Sequence, residues 1–148
     1  MIYKGKWMTI DMDEYVPYLY NSPAFTKAKD DELWVVLLEK AWAKLYTSYK
    51  RIEAGYPEEA LHDLTGAPVR NLYLKQASFD KEKEWKYLLK ASQREYSMVA
   101  SSRPGSDTTK SETGIVQGHA YTFLNATYLR YSNHQERIVQ LRNPWGKG

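Results

Sequence analysis

The chain changes character at Thr65-Gly66-Ala67-Pro68, and that change limits what it can fold into. Before the break, apolar residues recur at helical steps. Trp34, Leu38, Ala41, Leu45, Tyr49 and Ile52 follow one another by three or four positions, which places them in one stripe of a helix beginning near Asp30 and Asp31. Gly55 and Pro57 stop that helix. Pro57 to Leu64 predicts a second one, with Glu58 and Glu59 at its positive end. Ahead of both, residues 6–12 alternate as a strand does, and Pro17 with Asn21-Ser22-Pro23 predicts a loop.

After the break the reading is mostly β. Val69 to Leu74, Tyr96 to Ala100, Ile115 to Tyr131 and Arg137 to Arg142 read as strands, with a turn at Ser132 to Glu136. Gly118 marks a bulge or a close approach inside the third of these. One helix interrupts them, capped by Asp80 and running to about Glu95, with Trp85, Leu88 and Leu89 as its buried face. Ser101 to Thr113 is rich in Ser, Thr, Gly and Pro and reads as a mobile loop. The expected class is α+β: a helical part at 1–66, then an antiparallel sheet with one helix at 67–148.

Composition removes several function classes. There is no cysteine, so disulfides, thiolate metal sites and a cysteine nucleophile are excluded within these 148 residues. The 21 Lys and Arg are interspersed with 18 Asp and Glu and form no basic stripe, which argues against nucleic acid as a partner. The longest apolar run, Leu33 to Leu38, is far short of the roughly 20 residues of a membrane span. No signal peptide is visible at the N-terminus, so the expected location is cytoplasmic or otherwise intracellular. The 13 Tyr and 5 Trp suit a core of amphipathic rings.

Two words carry chemistry: GIVQGHAY at 114–121 and LRNPWG at 141–146. If the two last strands pair antiparallel, His119 and Asn143 meet at one end of the hairpin. An Asn amide oxygen can accept the proton of one imidazole nitrogen, which fixes the tautomer and aims the other nitrogen at a nucleophile. Trp145 could cover that bond. By spacing alone, a structural histidine and a turn-opening Asn-Pro remain the commoner reading.

The words together go further. GIVQGHAY followed by RIVQLRNPWG resembles the histidine and asparagine segments of the calpain family, the calcium-dependent cysteine proteases. LWVVLLEKAWAKLYTSY and IEAGYPEEALHDLTG resemble the family's long helix and the helix after it, and GKWMTIDMDEYVPY its preceding strand. The resemblance runs in order from about residue 5 to 146. It implies a partial papain-like fold of the calpain type, with the end of the first protease subdomain at 1–66 and most of the second at 67–148. It implies intracellular endopeptidase activity on protein or peptide substrates. His119 then matches the catalytic histidine, Asn143 the residue orienting it, Trp145 the neighbouring tryptophan, and Glu32 a calcium ligand.

The departures are as informative. The family's nucleophile lies in a Q-x-x-x-G-D-C-W word that is absent here, together with the oxyanion-hole glutamine and further ligands of the first calcium site. Ala67 stands where a second glycine is usual. The expectation is therefore a fragment, inactive alone, whose partner is the absent N-terminal part of the core. The alternative is a calpain-like pseudoprotease acting as a protein- or peptide-binding module.

Overall fold

The computed structural model describes residues 1–28 and 32–145. The chain forms two compact units, Met1–Arg70 and Asn71–Gly148. Among the described residues there are three α-helices and only antiparallel strand pairs, an α+β composition. No helix among them is long and apolar enough to cross a membrane.

The first unit is built around α1 (Trp34–Leu45), which buries Val36, Ala41 and Ala43. Two hairpins precede it: β1 (Ile2–Tyr3) with β2 (Lys6–Trp7), and β3 (Tyr18–Leu19) with β4 (Ser22–Pro23). The expected strand over 6–12 is cut to Lys6–Trp7. Met8 N–H closes the hairpin on Met1, and the Asp11 carbonyl is taken by Lys44 rather than by a neighbouring strand. The stretch read as a loop at 17–23 contains the second hairpin, whose turn residues Tyr20 and Asn21 adopt φ of 51° and 59°.

The apolar stripe also divides differently. Trp34 is exposed, and α1 ends at Leu45 because Thr47 takes φ 77°. Ser48 then caps a 3-10 turn at Tyr49–Ile52 by accepting from Arg51 N–H. The proposed start at Asp30 and Asp31 lies outside the described residues. α2 (Pro57–Thr65) follows its sequence reading closely, with Pro57 in its first turn and Gly66 closing it at φ 71°. A Cβ on Gly66 would sit 2.6 Å from Ile2 Cδ1, so the glycine also lets β1 approach.

Polar side chains of α1 hold the segments around it. Glu39 accepts from Thr26 through both its N–H (3.1 Å) and its hydroxyl (2.6 Å). Lys40 donates to the Asp13 carboxylate and to the carbonyls of Asp13 and Tyr15. That ammonium, with the Tyr15 N–H, holds the Asp13 carboxyl below its ordinary range. Past the helix end, Tyr46 donates to Asp63, the buried carboxylate of α2.

The second unit opens without the strand expected at 69–74. Residues 69–73 are irregular, turns at Tyr73–Gln76 and Gln76–Phe79 follow, and among the described residues no partner strand is paired with the stretch. Asp80 then caps α3 (Lys81–Gln93), accepting from Glu82 and Lys83 N–H. α3 lies against a three-stranded sheet of order β5 (Met98–Ser101), β6 (Ala120–Tyr131), β7 (His134–Arg142). Trp85 and Ala91 are its buried residues; Leu88 and Leu89 are only half-buried. Trp85 meets Tyr128 edge-on at 5.5 Å, and the Arg137 guanidinium lies 5.6 Å over its ring while bridging to Glu82. β6 and β7 join through Ser132-Asn133, with Tyr131 opposite His134 and a register shift between Phe123 and Asn125. β6 starts at Ala120 rather than 115, because 109–118 folds back on itself through the Lys110–Val116 bridge and Gln117 N–H to Thr109.

Tyr46 supplies a pH test of the first unit. Its hydrogen bond to Asp63, aided by burial, pushes the phenol up to about 12. The folded state then holds this proton where the unfolded chain releases it near 10, so the stabilisation is full below about pH 10 and is lost toward about pH 12. The unfolding midpoint should fall more steeply over that window in the natural chain than in Tyr46→Phe. Parallel curves would contradict the assignment.

Candidate active site

The geometry at the end of the sheet follows from the β6–β7 register. Thr122 stands opposite Arg142, so the residues flanking the hairpin's open end, His119 and Asn143, lie next to each other. His119 Nε2 is 3.0 Å from Asn143 Oδ1. The same oxygen accepts the Trp145 backbone N–H at 3.1 Å. A main-chain N–H can only donate, so the atom facing both groups is the amide oxygen, and the imidazole must donate to it from Nε2. In the neutral ring the lone pair is then on Nδ1. This is the tautomer in which the distal nitrogen can take and return a proton while the proximal one stays anchored.

Aromatic rings bound the imidazole. Trp145 lies with its ring centroid 4.7 Å from that of His119, and Tyr121 meets it edge-on at 4.9 Å. Tyr121 is buried, and its hydroxyl accepts the Val116 N–H at 2.9 Å, tying the ring to the segment before Gly118. His119 and Asn143 are half-buried, while Trp145 is about half exposed and can shield one side only.

The approach to His119 depends on two glycines. Gly118 adopts φ 55°, and its N–H donates to the Arg103 carbonyl at 2.7 Å. A Cβ there would stand 2.1 Å from the Gly105 carbonyl oxygen. Gly118 is therefore a close-approach glycine, and the irregularity of β6 lies further on, at Phe123/Asn125. The Ser/Thr-rich segment before it is held by its own side chains: Ser106, Thr108 and Thr109 bond among themselves, and Ser111 caps Ile115 N–H. Two further residues touch His119: Tyr121, whose place in GIVQGHAY gives no hint of a role, and Ser102, one serine among many in the Ser/Thr-rich segment.

Glu32 is exposed and immediately precedes Leu33, the N-cap of α1, which makes no side-chain cap bond. Asp30 and Asp31, its sequence neighbours, lie outside the described residues. Among the described residues no three His, Cys, Asp or Glu side chains gather as a metal-binding group. Glu32 therefore stands without companion metal ligands among the described residues.

Comparison with known proteins gives a consistent result. A family model described as calpain family cysteine protease matches residues 1–148. The calpain-type cysteine protease DEK1 of Arabidopsis thaliana is 40% identical over 148 residues, covering 96% of this chain and 7% of that protein. Calpain-13 of Rattus norvegicus is 35% identical over 147 residues, covering 96% and 21%. Calpain-A of Drosophila melanogaster is 34% identical over 150 residues, covering 96% and 18%. The chain thus spans at most about a fifth of these relatives.

Gly118→Ala tests how the histidine is approached. It combines a left-handed backbone with a clash on the Gly105 carbonyl, and should destabilise the second unit by about 1–3 kcal/mol in urea unfolding. A change below roughly 0.5 kcal/mol, the size of an ordinary surface substitution, would contradict the close contact.

Proposed function

This chain belongs to the calpain family of cysteine proteases, and from that premise we propose that it carries the acid–base half of a calpain-type endopeptidase site. The observation that supports the reading best is the 3.0 Å bond from His119 Nε2 to Asn143 Oδ1, with the same oxygen held by Trp145 N–H. In this reading His119 is the general base and acid, Asn143 orients it, and Trp145 shields their bond. Residues 1–66 are the end of the first protease subdomain and 67–148 most of the second.

The chemistry is acyl transfer to a thiol. His119 Nδ1 takes the proton of a cysteine thiol, and the thiolate attacks the carbonyl carbon of an extended peptide. The imidazolium returns that proton to the leaving amine as the C–N bond breaks. In the second half Nδ1 takes a proton from water, whose oxygen attacks the thioester and releases the thiol. Throughout, Nε2–H remains on Asn143, so the ring does not turn away while Nδ1 changes charge. No cysteine is present in these 148 residues, so the thiol must come from another segment and this chain alone should not cleave peptides.

Casein cleavage distinguishes the parts of this reading. The chain alone should be inactive. Combined with a segment that supplies the family's Q-x-x-x-G-D-C-W word, it should cleave, and His119→Ala should reduce the rate by on the order of 10⁶-fold. Cleavage by the chain alone that His119→Ala abolishes would overturn the claim that the nucleophile is external. An active pair indifferent to His119→Ala would overturn the role of His119. An inactive pair that binds the substrate would favour a binding module.

A further inference from the structure

β5 leaves the sheet one residue too early for His119. Its last rung pairs Ser101 with Ala120. Two residues beyond Ser102 comes Pro104, which has no N–H and holds Arg103 out of the helical region, and the chain departs into the 103–118 segment. Ser102 N–H still donates to the His119 carbonyl at 2.9 Å. The return bond is different: His119 N–H donates to the Ser102 hydroxyl oxygen at 2.9 Å, and that hydroxyl donates back to the His119 carbonyl at 3.1 Å. A side chain has replaced the main-chain acceptor that a continuing strand would offer.

We infer that Ser102 is a positioning residue for His119, fixing through its hydroxyl the backbone from which the imidazole reaches Asn143. The inference rests on the acid–base reading of His119. Together with Arg103, which accepts Gly118 N–H, Ser102 anchors the two consecutive main-chain N–H groups that lead into the histidine. The imidazole is thus held from the β5 side through its backbone and from the β7 side through its ring. Without the hydroxyl, the half-buried His119 N–H loses its acceptor and the His119 carbonyl keeps only the Ser102 N–H, so the backbone beneath the ring is held more loosely on the β5 side. A displacement of about 1 Å at a reacting nitrogen can cost on the order of a hundredfold in rate, so a backbone latch of this kind belongs to the site.

Nitrogen-15 NMR of the labelled chain tests this without requiring activity. Two rates are read: exchange of the His119 main-chain N–H with water, and exchange of its ring Nε2 proton. Ser102→Ala should quicken both by about tenfold while leaving the α3 amides unchanged. Ser102→Thr keeps the hydroxyl and should restore both. Ser111→Ala removes equivalent bonds to Ile115 and Thr113 in the same segment without touching His119, and should move neither. Should Ser102→Ala fail to fold, Ser102→Cys, a weak acceptor, should move both rates in the same direction.

A ring proton in Ser102→Ala that exchanges as in the natural chain would overturn the inference. So would an equal effect from Ser111→Ala, because the segment would then act only as a whole. Free exchange of the ring Nε2 proton in the unsubstituted chain would instead overturn the acid–base reading itself. Failure confined to the Ser102 variants leaves that reading intact.

Discussion

The second unit depends on how strand β6 satisfies its hydrogen bonds. β6 runs for twelve residues, but β5 covers only Ala120 to Phe123. At each end of that short pairing a serine takes over. Ser102 accepts the N–H of His119 before the paired stretch, and Ser92 on α3 accepts the N–H of Ala126 after it, while also donating to Asn125. An unpaired N–H in a half-buried strand costs about as much as a lost hydrogen bond, so these two hydroxyls set where the strand can be left by its neighbour. Beyond Ser102 the chain turns away from the sheet, and His119 is left half-buried there. The opposite edge of β6 is paired by β7 from Thr122 to Tyr131, interrupted only at Leu124, and β7 delivers Asn143.

This arrangement separates two requirements of proton-transfer chemistry. The ring must be aimed, which Asn143 does through an oxygen already oriented by Trp145 N–H. The backbone beneath it must not drift, which falls to the 102–103 and 118–119 pairings. Neither requirement involves a cysteine. In the proposed acid–base reading, the site is therefore preorganised on the second unit before a thiol arrives, and the cost of ordering it is met by folding rather than by substrate binding.

Much of this was legible in the sequence where local chemistry decides. Asp80 caps its helix as its position implied, α2 begins at Pro57 and closes at Gly66, and His119 meets Asn143 because strand register carries spacing into contact. The failures came where a partner elsewhere in the chain decides. Residues 9–12 and 69–74 have strand-like composition, but a strand requires a ladder, and none is paired with them among the described residues. Trp34 fits the helical stripe and is nonetheless exposed. Ser102 was illegible for the opposite reason: a serine among serines shows its value only when a particular N–H is found in front of it. Sequence supplied the residues of the candidate site, and geometry supplied what holds them.

The most direct test of the central claim, that the acid–base half of the site is already formed in this cysteine-free chain, is the tautomer of His119. Long-range proton–nitrogen correlation spectra of the neutral ring should show the proton on Nε2 and the lone pair on Nδ1, as a single species. A ring protonated on Nδ1, or an even mixture of the two tautomers, would contradict the account.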